Sequence, residues 1–461
     1  MVRLIIATLS LLVLVGSIRV YGEPMVGGEA ELLPESVFPR LDAALRQSLD
    51  YSFRMVEESF RQEEARGEAE ARASGLYPSV SGNFRYLARL EERDDRERRR
   101  RDTQPQAGLM VRQPLYHWGA LRAESRVGRI RQAIAEHNRA EAYRLLALEI
   151  RGQFLDLVVR AKELEVAAYE HELAEQELRR GERLLEREEI AQEEVRELRL
   201  NAEEHQLRKE RREAEYRLAE RDFSRVVGVE VTEDTGIPAG VPYLGVEASD
   251  EPSRFRELIR KDGRYLPRMD AARKRVDEAE SRRDAERSRV RPQLNLVAGV
   301  TQDQVAVFDR GDIDRTVGFA GLEVTWNLFD GYEARGRRAA ANARRRMEEQ
   351  RRNREEREWA AEVERLESTL GFLQRELNLA EDRLVLERER LERDERALEA
   401  GRISSREMSL ARIEYMQREL AATERRAEYL MGFAEFLSEA GFDPVMDYYR
   451  ERARRRGKDV E

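Results

Sequence analysis

Two hydrophobic periods divide this chain of 461 residues. In residues 78–90 the small or apolar places are Val80, Gly82, Phe84, Tyr86, Ala88 and Leu90. Ser79, Ser81, Asn83, Arg85 and Arg89 stand between them. A period of two describes a strand with one apolar and one polar face. Residues 106–113 alternate likewise. So do residues 292–303, through Leu294, Leu296, Ala298 and Val300, and residues 316–326, where the period blurs at Ala320 and Gly321. Two stretches without apolar periodicity, 91–102 and 309–315, read as polar hairpin loops.

The rest of the chain follows the helical period. A first helix is predicted over residues 39–74, with Leu41, Ala44, Leu45, Leu49, Phe53 and Val56 on one side, and Gly75 and Pro78 end it. Very long helices are predicted over 120–186 and 332–399, each about 100 Å at 1.5 Å per residue. Breaks near Glu188 and at Gly401 lead to shorter helices ending at Val227 and Ala440, and another helix is predicted over 254–289. Val363, Leu366, Leu370, Leu373, Leu377, Ala380, Leu384, Leu391 and Leu398 hold heptad positions. Ile150, Leu157, Leu164, Leu178 and Leu185 do the same earlier, with His171 in one slot. Such narrow stripes describe coiled-coil packing.

The plan occurs twice. Pro78 matches Pro292 and Met55 matches Met269 at a spacing of 214. Ile190 matches Ile403, Tyr216 matches Tyr429, Phe223 matches Phe436 and Gly228 matches Gly441 at 213. The unit is helix, strand, strand, long helix, shorter helix, over residues 38–227 and again over 254–441. A segment rich in Gly and Pro, 228–253, links the copies; residues 23–37 form an acidic leader and 442–461 a tail. Residues 1–22 have the form of a secretory signal: Arg3, then an apolar run from Leu4 to Val15 that is too short to span a bilayer comfortably.

Composition narrows the function. Charged residues make up 38% of the chain, yet the net charge is −9 with both signs interspersed, which argues against nucleic acid as a partner. The absence of cysteine excludes a disulfide framework, a thiolate metal site and a cysteine nucleophile. His117, His137, His171 and His205 have no metal-ligand spacing, and no phosphate loop, nucleophile elbow or zinc motif occurs. No enzyme, cofactor or metal is expected.

Strands of this length suit a bilayer-spanning barrel. Four strands leave open edges, whereas three chains supplying four each would close a twelve-stranded barrel. Val80, Phe84, Tyr86, Leu294, Leu296 and Val300 are then expected to face lipid, and Ser81, Asn83 and Arg85 the lumen. Tyr77, Tyr86, Tyr116, Trp118, Trp326 and Phe329 lie near strand ends, at the water interface or at a barrel–helix junction.

The order of strand, strand, Gln113-Pro-Leu-Tyr-His-Trp-Gly119 or Trp326-Asn-Leu-Phe-Asp-Gly331, long helix, Ala400-Gly-Arg-Ile-Ser404 and a final helix holding Ala427-Glu-Tyr-Leu430 resembles the TolC-like outer membrane efflux proteins, over residues 38–441. The resemblance implies a mainly α chain with membrane β: a homotrimer with a twelve-stranded barrel in outer membrane lipid and a long helical barrel in the periplasm. It implies a passive exit duct, docked to a periplasmic adaptor and an inner-membrane transporter and opened at its helical tip. Export of proteins through a type I system, or a poreless periplasmic scaffold, are the alternatives. It also places a gate at the turns 186–194 and 399–407. There Glu407 holds an acidic ring position, and the next ring position is Leu410. Glu194 matches an acid that the family pairs with an arginine; that site here is Ile403, beside Arg402 and Arg406. Glu188 stands where the family often has glycine. A bond from Arg402 or Arg406 to Glu193 or Glu194 is the expected tie.

Overall fold

A computed structural model describes residues 32–93, 96–229, 237–245, 266–307 and 311–458. The signal segment, most of the leader and the first part, 254–265, of the helix predicted over 254–289 lie outside the described residues.

The first repeat contains α3 (Phe53–Ala73), β1 (Ser79–Arg93), β2 (Arg96–Tyr116), α4 (Ala120–Glu186) and α5 (Gln192–Val227). The second contains α6 (Pro267–Ser288), β3 (Gln293–Val307), β4 (Gly311–Thr325), α7 (Glu333–Glu399) and α8 (Ser405–Ala440). Both long helices have 67 residues and both shorter ones 36. Before them lie α1 (Pro34–Val37) and α2 (Pro39–Tyr51), and α9 (Val445–Lys458) follows.

The two copies also share their backbone exceptions. Trp118 and Gly119 have φ of 55° and 85°, and at the same place in the second copy Gly331 and Tyr332 have φ of 65° and 70°. Two successive left-handed residues thus turn each sheet into its long helix. At the opposite end Glu188 (φ 59°) corresponds to Gly401 (φ 66°). The left-handed region is costly for a residue with a Cβ, so the first tip turn carries strain that the second avoids.

The strands form one antiparallel sheet in the order β1-β2-β3-β4, with β1 and β4 as its edges. The predicted loop over 91–102 is instead ladder: β1 pairs with β2 from Ser79↔Arg112 through Glu91↔Arg100 to Arg93↔Arg96. Residues 311–315 likewise belong to β4, paired as far as Val307↔Gly311. Ladder bonds come from the backbone, so lost side-chain periodicity does not end them.

The predicted helix over 39–74 is two helices. Ser52 is buried and extended (ψ 133°) between α2 and α3. The left-handed Gly228 that ends α5 lies against this break: a Cβ there would stand 2.2 Å from the Tyr51 carbonyl oxygen. The predicted tail also folds, as Phe442, Val445 and Met446 at the start of α9 are buried.

The core lies midway along the long helices. Leu41, Leu45 and Leu49 of α2 meet Tyr143, Ile150, Phe154 and Leu157 of α4, with Phe223 and Leu430. A second cluster joins Leu366, Leu370 and Leu377 of the heptad seam to Tyr429, Phe433 and Phe436 of α8 and to Leu33. Fully burying each such side chain contributes roughly 1.5–3 kcal/mol. Arg151, wholly buried, ties the chain's ends to this belt: Nη1 and Nη2 donate to Asp443 at 2.6 and 2.9 Å and Nε to Glu35 at 2.9 Å. Burial opposes its charge, and Asp443 followed by Glu35 outweighs burial, so its pKa rises above the ordinary value.

The candidate membrane sheet and helical tip

The register sorts the sheet into two faces, because residues paired across a ladder point to the same side. Val80 pairs with Val111, and Val111 with Ala298. Leu109 pairs with Val300, and Leu296 with Leu322. Phe84 and Tyr86 lie on the same face, in register with Ala107 and Pro105. Phe84 is 74% exposed and Val80 70%. Tyr86, Leu296 and Val300 are exposed too, and Leu294, paired with Val324, is half-buried. All six residues expected to meet lipid therefore share one face, which among the described residues is left largely uncovered.

The other face is mixed: it carries the sheet's bonded polar side chains together with Met110, Val297, Val317 and Phe319. Arg112 spans two strands to Glu323 at 2.9 Å, and Arg315 binds Asp303 at 2.6 Å. His117 Nε2 lies 2.9 Å from the buried Asn295 amide oxygen. Ser81, Asn83 and Arg85 belong to this side by register. No described helix is long and apolar enough to cross a membrane.

At the base of the sheet the two elbows differ. Trp118 donates from Nε1 to the Pro292 carbonyl at 2.8 Å, stacks edge-on with Tyr116 and lies beneath the Arg291 guanidinium. It clamps the first repeat onto the second. Trp326, Phe329 and Tyr332, at the β4 edge, are 57%, 73% and 70% exposed.

At the other end of the molecule α4 and α5 meet the N-terminus of α8 around a cleft of about 1000 Å³. Glu194 and Arg406 both line it. The expected tie does not form within the chain. Arg406 Nε binds Glu177 of α4 at 2.7 Å, and Arg402 makes no ion pair among the described residues. The reason is helix order: α8 packs on α7 and α4, while α5 packs on α4, so α4 offers the nearer carboxylate. Glu193 and Glu194 lie in the first turn of α5, where acids suit the helix dipole. Glu407 closes a capping box: it accepts from the Ser404 N–H at 2.7 Å, and its own N–H donates to Ser404 Oγ at 3.2 Å. The Ser404 backbone bond, followed by the side-chain bond, holds the Glu407 carboxyl below its ordinary value. Sequence reasoning missed Glu177, although a charge at that place on the long helix was visible.

Residues 266–434 match the family model described as outer membrane efflux protein. That stretch covers most of the second repeat. The fold of such channels extends over almost the whole chain. VceC, an outer membrane protein of Vibrio cholerae, superposes with a TM-score of 0.66 at 15% identity, over 88% of this chain and 97% of that one. The CmeC outer membrane channel of Campylobacter jejuni gives 0.68 at 12%, over 89% and 88%. The open state of the MtrE outer membrane channel of Neisseria gonorrhoeae gives 0.63 at 16%, over 88% and 90%. No curated protein matches in sequence. Among the described residues of this efflux-protein fold, no cluster of three His, Asp or Glu side chains could hold a metal ion.

Proposed function

We propose that this chain is one third of a passive outer membrane exit duct. Three copies close their four-stranded sheets into a twelve-stranded barrel, and their helices continue it as a tunnel across the periplasm. The observation that carries this reading is the sheet itself: an exposed apolar face, an opposite face that holds its bonded polar side chains, and two edges unpaired among the described residues, grown on paired helices of 67 and 36 residues. Open edges and an uncovered apolar face suit a closed barrel in lipid. The solved structures that share the fold are described as outer membrane channels.

The helical tip is the part that opens, when an adaptor and an inner-membrane transporter engage it. Arg406 on Glu177 holds α8 to α4 there, and the pair lies close to the cleft that Glu194 lines. Reconstitution into planar bilayers tests the duct: discrete conductance steps are expected, whereas a periplasmic scaffold gives none. In the same assay, reversing the charges of Arg402 and Arg406 together should raise single-channel conductance, and unchanged conductance would remove both from the gate.

A further inference from the structure

The contacts that join the two repeats inside the chain form a template for what its outer faces meet. α4 packs against α6 and α8 of the second repeat. Among the described residues the equivalent side of α7 has no such neighbours, and neither does the outer side of α5.

α4 and α8 pack on each other, and on them Val159, Val166, Leu173, Ile413 and Leu420 are buried or half-buried. Their counterparts 213 residues away are Phe372, Leu379 and Leu386 of α7, and Leu200 and Leu207 of α5. These five are 52–67% exposed, so each helix carries an apolar stripe that nothing in the chain covers.

The polar contacts transfer as well. Arg131 binds Glu278 at 2.8 Å, and the equivalent places hold Arg344 and Glu64. Gln417 donates to Glu170 at 3.2 Å, where the equivalents are Glu204 and Arg383. Arg406 binds Glu177 at 2.7 Å, and there the equivalents are Glu193 and Arg390. Lys162 binds Glu419 at 2.7 Å, with Arg375 and Gln206 as equivalents. Like charges meet in none of these four, and in the Arg406–Glu177 pair the sign is exchanged between the helices. Among the described residues Glu64, Glu193, Arg344 and Arg383 have no ion partner within the chain, while Glu204 pairs with the exposed Arg208, and Arg390 with Glu387 on its own helix and the exposed Glu414.

We propose that the α7 face of one copy binds the α5 face of a second copy in the register of the internal α4–α8 joint, with Arg383 on Glu204 of the partner subunit and Arg390 on Glu193 of the partner subunit. This rests on the three-copy reading above and gives its joint a residue register. The tip is then held by alternating ties: Arg406–Glu177 within each copy and Arg390–Glu193 between copies. The exposed Trp326, Phe329 and Tyr332 elbow falls over the partner's β1 base, as Trp118 does over Pro292 within the chain.

The chain has no cysteine, so crosslinking reports the register directly. Two tagged forms, one with Glu204→Cys and one with Arg383→Cys, are coexpressed, purified in detergent and treated with a short bis-thiol reagent. A mixed two-chain product is expected. Neither form alone should crosslink, since the joint is head-to-tail. Glu193→Cys with Arg383→Cys, displaced by 11 residues along α5, should give none. Absence of the mixed product, or its equal yield from the displaced pair, would overturn the register. A second measurement is charge exchange: Arg390→Glu should lower the temperature at which the oligomer dissociates, and adding Glu193→Arg should restore it. Loss of the oligomer in both variants with helical content intact would also overturn the proposal. Conductance without crosslinking leaves the duct standing and the register fallen; crosslinking without conductance does the reverse.

Discussion

One side chain separates the two tip turns. Glu188 and Gly401 share a left-handed conformation at the same place in each repeat, and only the glycine adopts it without a Cβ penalty. Glu188→Gly should therefore stabilise the chain by about 1 kcal/mol, and Gly401→Ala should destabilise it by about as much, each read from the denaturant midpoint. At the neighbouring cap the sign of the pH response is set by Glu407. Its folded pKa is depressed, so its contribution is present above the unfolded carboxylate value and is lost as pH falls through the folded one. Loosening of the first turn of α8 is expected in that acidic window, seen as faster backbone motion at 405–409 by NMR. Glu407→Gln should remove the pH dependence. In the belt, Arg151→Met leaves Asp443 and Glu35 without their cation and should cost roughly 3–5 kcal/mol. Thermal melting gives the size, and protease cutting around residues 442–445 shows whether α9 is released.

At the scale of elements, the sequence made most of the architecture legible. The ends of α4, α5, α7 and α8 were readable because glycine or a charged break punctuates strong heptads near 188, 228, 401 and 441. The strand faces were readable because alternation survives in Val80–Tyr86 and Leu294–Val300. What escaped has physical reasons. The charged hairpin over 91–102 is held by its backbone, which leaves no apolar signature. Helix α9 is dense in arginine, and its only core signal was Val445, Met446, Tyr448 and Tyr449. Arg151–Asp443 joins positions 292 apart, and the choice of Glu177 over Glu194 by Arg406 depends on which helix lies alongside, which periodicity does not state. The face assignment makes a sharp prediction. An arginine at Phe84 should impair outer membrane assembly far more than one at Asn83, by roughly 2–4 kcal/mol if the site lies at mid-bilayer. Heat-modifiable migration and membrane fractionation compare the two, and equal tolerance would count against a lipid-facing Phe84.

At the scale of the whole molecule, the duplication makes one chain its own best guide. On the proposed register, contacts such as Arg406–Glu177 have a second site for which one copy supplies each half. The exposed seam on α7 and the unpaired edge of β4 are thus parts of one continuous boundary. That boundary is mostly charged on its helical part, with apolar residues only at heptad intervals. An isolated copy can therefore stay dissolved along its shaft while its sheet still requires lipid or partners.

The equal length of the two long helices has a mechanical consequence. With 67 residues in each, both turns reach the same depth, so the molecule ends in a level rim. The shaft then acts as a ruler between two surfaces. Removing one heptad from α4 and one from α5 alone would retract every second turn by about 10 Å, at 1.5 Å per residue, and leave a notched rim that a ring-shaped partner could not seal. Removing the same heptads from all four helices would keep the rim level and shorten only its reach. On the exit-duct proposal, a paired deletion should fail to export in the original envelope and recover when the proposed partner is lengthened by the same amount.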